Sequence, residues 1–358
     1  MSVRVAVVGL GWAGRELWLP LLREHADFEV VAVVDPDQAS RAAFEEGTDI
    51  TVHSTVDALT AQAVDLAVVA VPNHLHADVA AALLASGISV FLEKPVCLTS
   101  DQVDTLAAAE RGGGMLMAGS AARHRGDVRA LARIMPGLGD IRHVDLAWVR
   151  ARGVPQAGGW FTQRDKAGGG VLVDLGWHLL DALAFLLGPV RFPQVIGVTS
   201  DDFVNDRAWH AAWRQDQPAG AAADVEDTAR GFLVRDDGVS VSLQASWASH
   251  EALDLSLIRV EGSSGTAELR CTFGFSPNRQ PEPVLTLTRE GTNTRLAVPT
   301  EPVGCEYRRQ LDGLAGMLAA PDNRGKAIAD ARTIVRIIES FYASARSVRA
   351  QRAVRAFQ

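Results

Sequence analysis

An N-terminal α/β domain on a parallel sheet, followed by an α+β domain with a large, mostly antiparallel open sheet, is the fold class that three observations predict. Apolar β-branched runs alternate with helical patterns early in the chain, short β-rich segments separated by turn signals dominate later, and the length exceeds one core. A chain of 358 residues is expected to form two domains. The change of pattern places them at residues 1–122 and 123–358.

The first strand, turn and helix lie in "VRVAVVGLGWAGRELWLPLL". A β-branched run meets Gly9, Gly11 and Gly14 in G-x-G-x-x-G register, with Trp12 and Ala13 completing the turn, and an apolar helical pattern follows. Glycines at these places permit a tight turn, approach of a pyrophosphate to the backbone, and close helix–sheet packing, while the helix N-terminus faces the phosphates. This is the Rossmann dinucleotide fingerprint, and by itself it is a weak one. The second strand, "FEVVAVVDPD", strengthens it by ending at Asp35, about 20 residues past the glycines, where an acid hydrogen-bonds the adenosine ribose. A 2′-phosphate would meet Asp35 and Asp37 with only Arg15 and Arg41 to compensate, so NAD is favoured over NADP.

The segment "AVDLAVVAVPNHLHADVAAALLASGISVFLEKPVCLT" reads as a strand, a turn at Pro72 and Asn73, an Ala-rich helix stopped at Gly87, and a strand ending at Glu93-Lys94-Pro95. His74 and His76 have no carboxylate or cysteine at metal-ligand spacing, so no metal is expected and both are read as helix-start hydrogen-bonding groups. Lys94 is one of three lysines among 35 basic residues. Lysine, unlike arginine, can be tuned to give up its proton. A surface ion pair with Glu93 is the bland alternative, but the carboxyl edge of a parallel sheet is where such folds place ligands.

In the second domain, "GDVRALARIMPGLGDIRHVDLAWVRARGVP" passes from helix to strand through Pro136, Gly137 and Gly139. Strands follow in "DTARGFLVRDDG", "VSVSLQASW", "ALDLSLIRVEG", "TAELRCT" and "PVLTLTRE". Val239, Val241, Leu243, Ala245 and Trp247 alternate with polar residues, which predicts one face against helices and another against solvent or a second subunit. The C-terminal "AIADARTIVRIIESFYASARSVRA" is a helical run expected to pack on the sheet or on the first domain. Between these lies "GGGVLVDLGWHLLDALAFLLG", residues 168–188, whose apolar run is interrupted by Asp174, His178 and Asp181. Spacings of four and three put them on one helix face, and a dry core satisfies three ionisable groups poorly. Residues 200–224 place Trp209 and Trp213 four apart beside Asn205, Asp206 and His210. That mixture suits sugar stacking, an oligomer contact or a surface insertion.

Three separated motifs, "VPNHLH" with "EKP", "GGGVLVDLGWHLLD" and "VEDTARGFLV", occur in the order found in the Gfo/Idh/MocA oxidoreductases, and the chain strongly resembles that family nearly end to end. The resemblance implies that Lys94 lies beside the nicotinamide and the reacting hydroxyl, that Pro95 takes a cis peptide, that Asn73 lines the nicotinamide end, and that His76 supports the cofactor loop. It also implies that Arg123, His124, Trp160 and Arg164 belong to regions lining the substrate pocket, and that the open sheets pair into a homo-oligomer, a dimer or tetramer.

Composition limits the remaining classes. With 47% hydrophobic and 22% charged residues and a formal net charge of -8, the chain reads as globular, with no transmembrane run and no basic field for nucleic acid. Three cysteines without paired spacing predict neither a disulfide framework nor structural zinc, and the first strand starts too early for a signal peptide. A cytoplasmic enzyme is expected. Its predicted reaction is NAD-dependent oxidation of a secondary hydroxyl of a sugar, sugar derivative or cyclitol, with His178 as general base near its unperturbed pKa, assisted by Lys94 and Asp174. The alternatives are an NAD(P)H-dependent ketoreductase in modified-sugar or aminoglycoside biosynthesis, a glycosidase with permanently bound NAD, and a non-catalytic dinucleotide-binding sensor of the same fold.

Overall fold

The structure, a computed structural model, describes residues 2–45, 50–188, 191–213 and 222–356. It divides into two compact units, Met1–Ser120 with Tyr307–Arg332, and Ala121–Glu306 with Thr333–Gln358.

In the first unit, β1 (Val3–Val8), β2 (Phe28–Val34), β3 (Thr51–His53), β4 (Leu66–Val69), β5 (Ser89–Leu92) and β6 (Leu116–Ala118) form one sheet in the order β3-β2-β1-β4-β5-β6. Every pairing is parallel. Helices α1 (Leu19–Glu24), α2 (Gln38–Glu45), α3 (His76–Ala85) and α4 (Ser100–Gly112) supply the crossovers. The near-continuous apolar strands are those of a sheet covered on both faces, and Val5, Val7 and Leu66 through Val69 are fully buried. The strand order reverses at β1 and β4, the switch point where doubly wound sheets bind ligands.

The second unit contains α5 (Gly126–Ile134), β7 (Ile141–Val149), α6 (Arg164–Ala167), α7 (Trp177–Leu187) and the strands β8 (Gln194–Ser200), β9 (Thr228–Val234), β10 (Ser240–Ser246), β11 (Leu255–Gly262), β12 (Gly265–Cys271), β13 (Val284–Arg289) and β14 (Thr292–Leu296). The eight strands run β14-β13-β12-β11-β7-β10-β9-β8. All neighbours are antiparallel except β7 and β10, which pair in parallel. The alternation read in "VSVSLQASW" sets the faces, with Val241, Leu243, Ala245 and Trp247 buried. β8 and β14 are strands that the sequence reading leaves out.

Helix α8 (Cys305–Ala319), also not anticipated, and α9 (Lys326–Ala356) complete the chain. Residues 307–332 return to the first unit, so that unit is not one continuous stretch. The Gln310 side chain accepts from Ser120 N at 3.3 Å and donates to the Ala118 carbonyl at 2.9 Å. Tyr307 packs edge-on to Trp18 with ring centroids 5.6 Å apart. The remainder of α9 belongs to the second unit, where Phe341 fills a slot over Gly197 and Gly231, which are paired across β8 and β9. A Cβ on either glycine would lie 2.4 or 2.2 Å from the Phe341 ring. On the other face of these strands Ile196, Val198 and Phe232 are 63%, 41% and 44% exposed. Residues 164–187 are apolar and long enough to cross a membrane, but most of that run is buried inside the second unit.

Candidate functional site

The glycine turn after β1 is built for close approach. Gly9 has φ +97°, and a Cβ there would lie 2.5 Å from the Ala70 carbonyl oxygen. A Cβ on Gly14 would fall 1.8 Å from the Gly9 oxygen, so the helical turn can press on the strand end only without one. A Cβ on Gly11 would meet nothing within 4 Å, and the residue is exposed, so this part of the turn is open to a phosphate. Ala13–Trp18 then forms a π-helical turn leading into α1, with Trp12 exposed ahead of it.

Asp35, just beyond β2, is tied to this turn, its Oδ2 accepting from Leu10 N at 2.7 Å and its Oδ1 from Asp37 N at 2.8 Å. The nearby cations are held by carbonyls: Arg15 donates to Ser40 O at 2.9 Å, and Arg41 to Asp35 O and Pro36 O at 2.8 Å each. An open backbone cradle and an acid fixed beside it at the sheet's switch point fit a nicotinamide dinucleotide.

Pro72 and the buried Asn73 follow β4, at the same sheet edge as Glu93 and Lys94. His76 does not hydrogen-bond a helix start. Its Nδ1 lies 2.6 Å from Pro95 O and its Nε2 2.8 Å from Val71 O, so it joins the loops after β4 and β5. Free carbonyls are the natural partners there, because the ring is buried beneath both loops rather than lying over the helix's N–H groups. Burial pushes this imidazole down to about 4, outweighing the pull of the two carbonyls. Glu93 Oε1 accepts from Trp18 Nε1 at 2.7 Å and its Oε2 from Lys94 N at 3.0 Å. Burial raises this carboxyl despite the neighbouring Lys94 charge. The Lys94–Pro95 peptide is cis. Trp18, which the sequence reading passed over, thus anchors the strand end that carries Lys94.

In the second unit, Gly168–Gly170 opens the helix of interest. A Cβ on Gly169 would lie 2.0 Å from the Tyr342 hydroxyl, and one on Gly170 1.9 Å from the Glu226 carbonyl oxygen. The buried Glu226 carboxylate accepts from Gly170 N at 3.0 Å, Leu172 N at 3.2 Å and the Tyr342 hydroxyl at 2.7 Å. It therefore satisfies orphan donors at the helix start, where negative charge is favoured. Nothing in its spacing flags this role, because its partners come from two segments distant from it in the chain.

Leu172–Gly176 is a π-helical turn and α7 continues from it, a local geometry frequent at functional sites. Asp174, His178 and Asp181 are all buried, and each meets a different element. Asp174 Oδ2 accepts from Trp247 Nε1 at 2.9 Å, just past β10. The His178 ring lies 5.5 Å from that of Trp148 near the end of β7. Asp181 takes a two-pronged contact from Arg123, with Nε 3.2 Å from Oδ2 and Nη2 on Oδ1. Asp181 thus holds Arg123, which leaves Asp174 and His178 as the chemically interesting pair. Trp160 stacks edge-on with Phe161 at 5.0 Å, and Phe161 lies 6.1 Å from Trp247.

Among the described residues of the 200–224 stretch, only a short turn, Arg207–Trp209, is helical, so Trp209 and Trp213 do not share a helix face. Residues 214–221 lie outside the described residues. Among the described residues, no group of three His, Cys, Asp or Glu side chains is placed to hold a metal ion.

Residues 3–120 match the model of the oxidoreductase family with an NAD-binding Rossmann fold, and residues 136–268 match the GFO/IDH/MocA C-terminal domain. A protein of Amycolatopsis mediterranei (strain S699), provisionally named as the oxidoreductase subunit of UDP-kanosamine synthase, is 74% identical over 358 residues, the whole of both chains. The D-glucoside 3-dehydrogenase of Escherichia coli (strain K12) is 29% identical over 254 residues, 69% of this chain and 70% of that one. Among solved structures, GenD2 from gentamicin A biosynthesis, in complex with NAD, superposes with a TM-score of 0.74 at 26% identity over 96% of this chain and 94% of its own. With both halves matched and the fold shared along nearly the whole length, the chain belongs to the Gfo/Idh/MocA family of oxidoreductases.

Proposed function

We propose that this oxidoreductase converts a secondary ring hydroxyl of a sugar to a ketone, with NAD preferred over NADP. The observation that carries the reading is the buried Asp174 and His178 on one helix, the former held by Trp247 and the latter against Trp148. A base and an acid group fixed one turn apart suit removal of a hydroxyl proton. His178 takes that proton, Asp174 orients the sugar or the imidazole, and the Lys94 ammonium stabilises developing negative charge on the substrate oxygen. The bound dinucleotide supplies the acceptor for the hydrogen and electron pair leaving the carbinol carbon. Gly9, Gly11, Trp12, Ala13 and Gly14 hold its phosphates, Asp35 its ribose, and Pro72, Asn73, His76 and Glu93 shape the edge at its nicotinamide end. Arg123 and Trp160 flank the sugar.

The name of the Amycolatopsis relative favours a hexose carried on UDP as the substrate. The exposed Ile196, Val198 and Phe232 support self-association through the open sheet face. Incubating purified protein with NAD and a panel of free and UDP-linked hexoses, and following NADH absorbance, tests the reaction. Turnover is expected for the wild type and its loss for His178→Ala. A fully active His178→Ala variant would remove the base assignment.

A further inference from the structure

Two segments, leaving the ends of β7 and β10 beside the candidate catalytic helix, end on one exposed platform of the second unit. The first starts at Trp148, beside His178, and runs through Arg150 to Arg152. The other starts at Trp247, hydrogen-bonded to Asp174, and runs through Ala248 to His250. A β-bridge between Arg152 and Ala248 keeps the two together.

At their far end the Arg152 guanidinium lies over the Trp209 ring, 3.9 Å from its centroid. Trp209 is flanked in turn by Phe203 at 4.6 Å and His250 at 5.0 Å. Arg152 Nη1 donates to Ala151 O at 2.7 Å and Ser249 O at 3.1 Å. These bonds and the indole fix the guanidinium plane and leave the Nε and Nη2 edge, the fork that matches two phosphate oxygens. Arg123, Arg125 and Arg164 are each paired with a carboxylate, whereas Arg152 has no ion-pair partner among the described residues. Arg152 and His250 are exposed, so the positive charge is presented rather than buried.

We propose that Arg152, held on Trp209 with His250 beside it, binds a phosphate of a nucleoside-diphosphate sugar whose ring hydroxyl lies at His178. Arg152 lies four residues along the chain from Trp148, a reach of at most roughly 14 Å, so one extended sugar diphosphate can touch both ends. The inference rests on the proposed oxidation for the position of the sugar ring.

Isothermal titration of the NAD-loaded full chain with UDP, and separately with uridine, tests it. The expected result is binding of UDP but not uridine, weakened about 10-fold or more in Arg152→Ala and Trp209→Leu, with partial recovery in Arg152→Lys and NAD affinity unchanged. Absence of UDP binding to the wild type, wild-type affinity in the Arg152→Ala and Trp209→Leu variants, or uridine binding as tightly as UDP would each overturn it. His178→Ala separates the two readings: loss of turnover with unchanged UDP affinity supports both. Retained turnover would sink the base assignment while leaving the phosphate site standing.

Discussion

The Trp247 indole donates its N–H to Asp174 Oδ2 at 2.9 Å, and both side chains are buried. The end of the central parallel strand pair thus holds a carboxylate one turn before His178. Trp247→Phe keeps the ring and removes the donor. We expect kcat to fall about 10-fold with KM nearly unchanged, alongside a stability loss of about 1–2 kcal/mol for the unsatisfied acceptor. Steady-state kinetics on an identified sugar substrate provides the check, and an unchanged kcat would refute a positioning role.

Glu226 gathers two backbone N–H groups and the Tyr342 hydroxyl at the start of the same helix. Glu226→Gln should destabilise the second unit by about 1–3 kcal/mol, and Tyr342→Phe by less, because only one of the three donors is lost. Urea unfolding curves compare them. Equal losses would assign the stability to the tyrosine rather than to the helix start.

His76 gives a pH dependence with a defined sign. Its folded-state value of about 4 lies below the ordinary imidazole value of 6.5, so in this window the unfolded chain binds the proton and the folded chain does not. Its contribution is fully present above pH 6.5 and is lost as pH falls toward 4, by about 3 kcal/mol. Unfolding measured at neutral pH and just above pH 4 should show a steeper loss for wild type than for His76→Gln. Identical slopes would exclude His76 as the source.

Asp35 binds the glycine turn through Leu10 N, leaving Arg15 and Arg41 beside it on backbone carbonyls. Asp35→Ala is expected to weaken NAD about 10-fold while strengthening NADP, as a carboxylate is replaced next to two cations. Fluorescence titration with both dinucleotides measures the ratio, and a parallel loss for both would argue that Asp35 shapes the turn alone.

Phe232 and Ile196, directly opposite on β9 and β8, project from the face away from Phe341. Phe232→Glu should reduce the native mass if that face joins subunits. Sedimentation of wild type and variant would decide, and an unchanged mass would dismiss the face as the interface.

By itself, the sequence determined the parallel first sheet, its glycine turn, the mostly antiparallel character of the second sheet and the stripe Asp174, His178 and Asp181. Those features repeat at short periods or sit in contiguous motifs, and alternation or helical spacing exposes them directly. Only tertiary structure decided what the polar groups do, because their partners are distant in the chain. Asp174 meets Trp247, Asp181 meets Arg123, and Glu226 joins Gly170 to Tyr342. The same holds for residues 307–332, which return to the first unit through Gln310 and Tyr307, and for His76, whose ring reaches two loop carbonyls. Burial gives a lone polar residue its meaning, since a charge out of water must find whichever partner the fold brings to it. Spacing along the chain cannot name a partner that arrives from another strand.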